Sequence, residues 1–133
     1  MNKAILDTDI LSYFLKGDKQ VLESAEFYLA EHDSLAFTEI TYFEILAGLE
    51  FKLAKSQKKK FQLFSDKCLI YKLTENSIRV SAKIYGELRR HGVQMGTPDL
   101  LIAGIAIDND LVLISNNIKD YQSIKDLNVE TWK

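Results

Sequence analysis

The chain holds one cysteine, one proline, two histidines and six glycines in 133 residues, and each shortage closes off a class of protein. A lone Cys68 cannot build a disulfide framework. It stands in the apolar run Cys68-Leu69-Ile70-Tyr71, where a free thiol serves as a small buried hydrophobe in a reducing compartment. His32 and His91 have no His or Cys partner at ligand spacing, which argues against zinc and leaves both as ordinary surface residues. No Ser-His or Cys-His pairing signals nucleophilic catalysis, and no Gly-rich loop is present to cradle a phosphate. No segment approaches the roughly 20 apolar residues of a membrane helix, and the apolar stretch at the start is too short for a signal-peptide core. The expected location is therefore the cytoplasm. An excess of positive charge is also missing: 17 Lys and Arg against 19 Asp and Glu give a net charge of −2, which argues against broad electrostatic binding of nucleic acid.

What is present is a compact globular composition, 47% hydrophobic and 27% charged. A chain of this length buries roughly two-thirds of the surface its unfolded form exposes, and with no linker, repeat or low-complexity stretch residues 1–133 are expected to form a single domain. Short apolar runs predict strands at Lys3–Leu6, Ser34–Phe37, Cys68–Leu73 and Leu111–Ser115, with a weaker one at Asn128–Trp132. They lack polar alternation, as strands of a parallel sheet covered on both faces do. Helical patterns fall between them, at Asp9–Lys16, Asp18–His32, Thr38–Ala54, Ser56–Asp66, Glu75–Arg90 and Pro98–Asn109. The alternation implies an open α/β sandwich with right-handed crossovers. Thr74 is placed to cap the helix from Glu75, and Thr97-Pro98-Asp99 offers a capping hydroxyl, an early proline and a first-turn acid. Basic residues gather at Lys52, Lys55, Lys58, Lys59 and Lys60, and again at Arg79, Lys83, Arg89 and Arg90; both sets read first as solvated helix faces.

Ligand sites in open α/β sheets lie beyond the carboxyl ends of the strands, and acids collect there. Asp7 ends the first strand, where an unpaired carboxylate after an apolar run is costly without a cation. Asp9 reads as the cap before Ile10. Glu44 is an acid among apolar neighbours, at the margin of a wide buried helix face, while Glu39 suits the dipole of a first turn. Asp99 opens the nearly all-apolar helix from Leu100 to Ile107. Taken alone it could be a dipole partner. Gathered with Asp7, it makes a set of carboxylates whose mutual repulsion a hard divalent cation such as Mg²⁺ or Mn²⁺ relieves, and such an ion activates water for phosphodiester hydrolysis.

The segments Leu6-Asp7-Thr8-Asp9-Ile10-Leu11, Phe43-Glu44-Ile45-Leu46-Ala47-Gly48, Gly96-Thr97-Pro98-Asp99-Leu100-Leu101-Ile102-Ala103 and Leu113-Ile114-Ser115-Asn116-Asn117, followed by Asp120-Tyr121 and Glu130-Thr131-Trp132, resemble in order and spacing the PIN-domain ribonucleases, specifically the VapC type of bacterial and archaeal toxin. The resemblance implies a PIN-like three-layer sandwich, with a central, mostly parallel sheet of four to five strands flanked by helices. It also implies an endoribonuclease dependent on Mg²⁺ or Mn²⁺, inhibited by a separate VapB-type antitoxin and commonly a homodimer. By that match Asp7, Glu44 and Asp99 are catalytic and metal-binding. Asn117 stands where many relatives carry an acid, and Asp120 lies close enough in sequence to be the fourth polar residue instead. Ser115, Arg89 and Arg90 are expected at the RNA. Two alternatives stand beside this reading: a catalytically inactive PIN-fold module that binds RNA or protein, and a haloacid-dehalogenase-like phosphatase, suggested by Asp7-Thr8-Asp9. A receiver domain is excluded, because its phosphoacceptor acid would follow the third strand, where this chain has Thr74-Glu75-Asn76.

Overall fold

The computed structural model describes residues 2–133. Five short strands, β1 (Ala4–Leu6), β2 (Ala36–Thr38), β3 (Leu69–Tyr71), β4 (Val112–Ile114) and β5 (Val129–Glu130), alternate with α1 (Thr8–Leu15), α2 (Lys19–Leu29), α3 (Glu39–Phe51), α4 (Lys55–Ser65), α5 (Glu75–Arg90), α6 (Thr97–Asp108) and α7 (Ile118–Tyr121). All pairings are parallel: β4 lies between β1 and β5, and β2 pairs with β3. β2 packs beside β1, but no ladder joins them. The Tyr28 hydroxyl enters there instead and accepts from Ala4 N at 3.0 Å, so the central layer is two ladders laid side by side.

The missing polar alternation now has its cause. On β1, Ala4 and Leu6 join one apolar cluster and Ile5 the other; on β4, Val112 and Ile114 join the first and Leu113 the second. The first cluster lies under α1, α2 and α4, through Leu11, Val21, Tyr28 and Phe61. The second lies under α5 and α6, through Ile84, Leu88, Ile102 and Ala106. Each fully buried Leu or Ile contributes about 1.5–3 kcal/mol, and both faces of the sheet collect it.

Local signals set most helix starts. Asp18 accepts from Val21 N and Thr38 from Thr41 N, while Thr74 and Ser77 form a reciprocal capping box. Two starts differ from expectation. Asp7, not Asp9, occupies the cap of α1 and accepts from Thr8 N, because the helix begins directly at the strand end. Thr97 lies inside α6, whose cap is Gly96, with no side-chain hydrogen bond; Pro98 with its fixed φ and Asp99 with its first-turn charge favour the start without a capping bond. The four-residue α7 is too short to show a period in sequence.

α6 is buried along Ile102 to Ala106, and it crosses α5 where side chains vanish. A Cβ on Gly104 would stand 1.9 Å from Ser81 Oγ and 2.6 Å from the Ser77 carbonyl oxygen. The loop from His91 to Gly96 turns at Gly92, φ +75°, and returns the chain from the end of α5 to the start of α6. Arg89 and Arg90 therefore sit at the same end of the molecule as Asp99.

Candidate active site

Four chain segments converge beyond the carboxyl ends of β1 and β4. Asp7 is only 5% exposed, and both its oxygens are engaged. Oδ1 accepts from Thr8 N at 2.9 Å, while Oδ2 accepts from Ser115 Oγ at 2.8 Å and from the Tyr121 hydroxyl at 3.1 Å. The same hydroxyl lies 3.3 Å from Asp99 Oδ1, so one phenol spans two carboxylates. Glu44 reaches the pocket from the middle of α3, and its Oε1 accepts from Thr8 Oγ1 at 2.7 Å; that hydroxyl is itself 2.9 Å from Thr41 Oγ1.

The electrostatics are one-sided. Burial pushes the Asp99 carboxyl above its ordinary range, and Asp7, then Glu44 and Asp120, push it further, against the opposing Tyr121 hydrogen bond. Asp9 is raised by burial and then by Asp7 and Asp99. Burial and the same two aspartates hold the Tyr121 phenol protonated far above its usual range. The described salt bridges, Lys58–Glu50, Arg79–Glu75 and Lys133–Asp18, involve none of these acids. Cys68 is remote from this chemistry: burial lifts its thiol to about 11, and Sγ donates to the Phe64 carbonyl, as a structural cysteine does.

Each residue singled out in the sequence has a definite place here. Asp7, Asp99 and Glu44 share the pocket. Asp9 closes it on one side, with Oδ1 on Ile10 N and Oδ2 on Asn116 N. Asn117 is exposed at the head of α7 and makes no side-chain cap; its backbone N–H donates to Ser115 Oγ at 3.0 Å. Asp120 is exposed, yet near enough to act on Asp99. Ser115 is shut off from solvent, so it braces Asp7 and does not face a substrate. Arg89 and Arg90 are exposed, Arg89 with its guanidinium 5.8 Å from the Tyr85 ring centroid. Sequence reasoning missed Tyr121 and Thr8. Tyr121 has the one polar tip in the apolar spacing Tyr121, Ile124, Leu127, and that tip was the available signal.

Oxygen donors without a neutralising cation suit a hard divalent ion. Among the described residues no three His, Cys, Asp or Glu side chains are gathered tightly enough to hold an ion together. The candidate nucleus is thus the Asp7–Asp99 pair spanned by Tyr121, a donor set whose chemistry fits such an ion. Beside the pocket a groove of about 630 Å³ runs between α1, α3 and α4. It shares Thr8 and Glu44 with the pocket, has Ile45, Leu49, Phe61 and Phe64 along its floor, and carries Lys16, Lys52 and Lys60.

The PIN domain family matches residues 4–126. Ribonuclease VapC2 of Rickettsia felis is 29% identical over 133 residues, 96% of each chain. A tRNA(fMet)-specific endonuclease VapC of Salmonella typhimurium is 25% identical over 133 residues, 99% of each chain. Among solved structures, VapBC2 from Rickettsia felis bound to a DNA fragment from its promoter superposes with a TM-score of 0.88 at 27% identity, covering 98% of both chains. VapBC-1 from nontypeable Haemophilus influenzae gives 0.83 at 25% identity over 97% of both.

Proposed function

Because the chain belongs to the PIN domain family, we propose that it is a divalent-metal-dependent endoribonuclease, the toxin of a toxin–antitoxin pair, acting from the pocket of Asp7, Asp99 and Glu44. The observation that carries this reading is the Asp7–Asp99 pair spanned by one hydroxyl, with Glu44 and Asp120 as further carboxylates acting on Asp99. The phosphatase alternative lapses with the family assignment.

Asp7 and Asp99 hold the ion, Mg²⁺ or Mn²⁺. When bound, it supplies Lewis acidity toward water and phosphate oxygens. Glu44, with Oε1 fixed by Thr8, would orient the attacking water and take its proton at the other carboxylate oxygen, as the phosphorus–oxygen bond to the leaving strand breaks and the freed oxygen takes a proton from solvent. Ser115 holds Asp7 in place, and Arg89 and Arg90 supply positive charge to an RNA strand arriving at the Asp99 end. Adding Mg²⁺ or Mn²⁺ to purified protein should produce RNA cleavage that a chelator abolishes, while circular dichroism stays that of the folded chain. Metal binding without cleavage would instead establish the inactive binding module. Loss of fold in chelator would make the acids a structural site. Mapping new 5′ ends after brief expression identifies the RNA.

The relatives solved as VapBC complexes support a VapB-type protein as inhibitor. The groove is its seat: an apolar segment carrying acids would pair with Lys16, Lys52 and Lys60 while its end blocked Glu44. Phe51, 89% exposed on α3, adds apolar surface at the edge of that face. No described helix is long and apolar enough to cross a membrane, in keeping with work in the cytoplasm. The expected homodimer is tested by light scattering.

A further inference from the structure

Tyr121 lies in the core under α5 and α6, packed with Ile124 and Leu127 and 1% exposed. A phenylalanine would fill that space. A buried phenol with no partner costs free energy, so the hydroxyl implies a task, and its partners are Asp7 Oδ2 at 3.1 Å and Asp99 Oδ1 at 3.3 Å. These atoms belong to segments 92 residues apart in sequence, one at the end of β1 and one in the first turn of α6. Asp7 has other anchors, Thr8 N and Ser115 Oγ. Asp99 has no other described hydrogen bond to its side chain, so only Tyr121 ties it to Asp7.

We propose that Tyr121 is a positioning residue for metal binding: its hydroxyl links Asp99 to the braced Asp7 and keeps together the two like-charged carboxylates that would hold the ion. This rests on the metal-dependent reading above. A phenol is suited to the task. Its single proton can be shared by two acceptors, it brings no charge to compete with a cation, and the ring behind it is locked by packing. Ser115 plays a narrower part, because its hydroxyl reaches Asp7 alone.

The test compares wild type with Tyr121→Phe and Ser115→Ala, using Mn²⁺ as the probe. Mn²⁺ affinity is measured by calorimetry, melting temperature is measured with and without Mn²⁺, and RNA cleavage is measured across a range of Mn²⁺ concentrations. Loss of an outer partner to a metal ligand typically costs 10- to 100-fold in affinity. Tyr121→Phe should therefore weaken Mn²⁺ binding by about 10- to 100-fold and raise the Mn²⁺ needed for half-maximal cleavage by the same factor. Saturating Mn²⁺ should return the rate to near wild type. Ser115→Ala should weaken binding less, since Asp99 keeps its link. Unchanged affinity with a lowered melting temperature would make the tyrosine merely structural, and tighter binding would make its hydroxyl a competitor of the ion; either overturns the proposal. Wild-type protein that takes up no Mn²⁺ overturns the metal-dependent reading itself, and is told apart by failing before any variant is compared.

Discussion

Two hollows meet at Thr8 and Glu44, and they are opposites. The pocket beyond β1 and β4 is built of acids braced by hydroxyls, while the groove between α1, α3 and α4 is apolar and set with lysines. The chain's net charge of −2 conceals this division, because folding sorts nearly balanced charges into separate places. Within the pocket like charges stand close and mostly out of water, which costs stability. Along the groove the lysines stand at the ends of α1 and α3 and on α4, and they keep their heads in solvent, which costs little. The contrast matches the two roles proposed, a pocket suited to a cation and a groove suited to a partner.

The strongest break is Asp99→Asn. It should cut cleavage on the order of 1000-fold, as removal of a preorganised electrostatic element does, and leave antitoxin binding in the groove intact. The metal-free variant should also melt higher than wild type at neutral pH. Asp99 holds its proton more tightly folded than unfolded, so ionising it lowers stability once the pH passes its folded value. The gain should fade in acid, as the pH falls toward the ordinary carboxylate value of 3.8. Melting curves across pH check the sign, and a variant that melts lower at neutral pH would remove the repulsion argument.

Reversing Lys52 and Lys60 to Glu should do the converse. Like-charge contacts across an interface cost several kcal/mol, so antitoxin affinity should fall by about 100-fold while cleavage of a short RNA stays within a few-fold of wild type. Equal losses of both would mean that RNA and antitoxin share the groove. Thr8→Val tests the seam between the two hollows. It removes the hydroxyl on Glu44 and should slow cleavage by about 10-fold at saturating metal with little change in metal affinity.

The smallest effects decide the fourth polar residue. Asn117 faces solvent and meets the site through its backbone, whereas the charge of Asp120 reaches Asp99. Asp120→Ala should weaken metal binding a few-fold and Asn117→Ala less, with about 10-fold as the lower bound expected of a direct outer partner. The reverse ranking, measured by calorimetry, would return the role to Asn117.

The layers of the fold were legible because strands covered on both faces must be apolar throughout, and Ile5 and Leu113 obey that rule while pointing away from Leu6 and Ile114. Asp7 and Asp99 were legible because each ends or begins an apolar element with no counter-charge in view. Caps were less so: α1 begins on the residue after Asp7, and a shift of two positions moves the capping role from Asp9. Ser115 read as a loop residue open to substrate, because sequence does not tell which polar side chain at a strand end turns inward. Tyr121 was hidden by its ring, which satisfies the apolar pattern whatever its hydroxyl does.

The pairing of β1 with β4 sets a schedule as well as a shape. Asp7 is made before its partners Ser115 and Tyr121, which follow it by 108 and 114 residues. The strand that seats Asp7 can find its neighbour only after Val112 to Ile114 have been translated. At roughly 5–20 residues per second, roughly 6–23 s separate the making of Asp7 from that of Tyr121, 114 residues on. Until the residues of both strands exist, the carboxylate pair on which the proposed nuclease depends cannot be assembled.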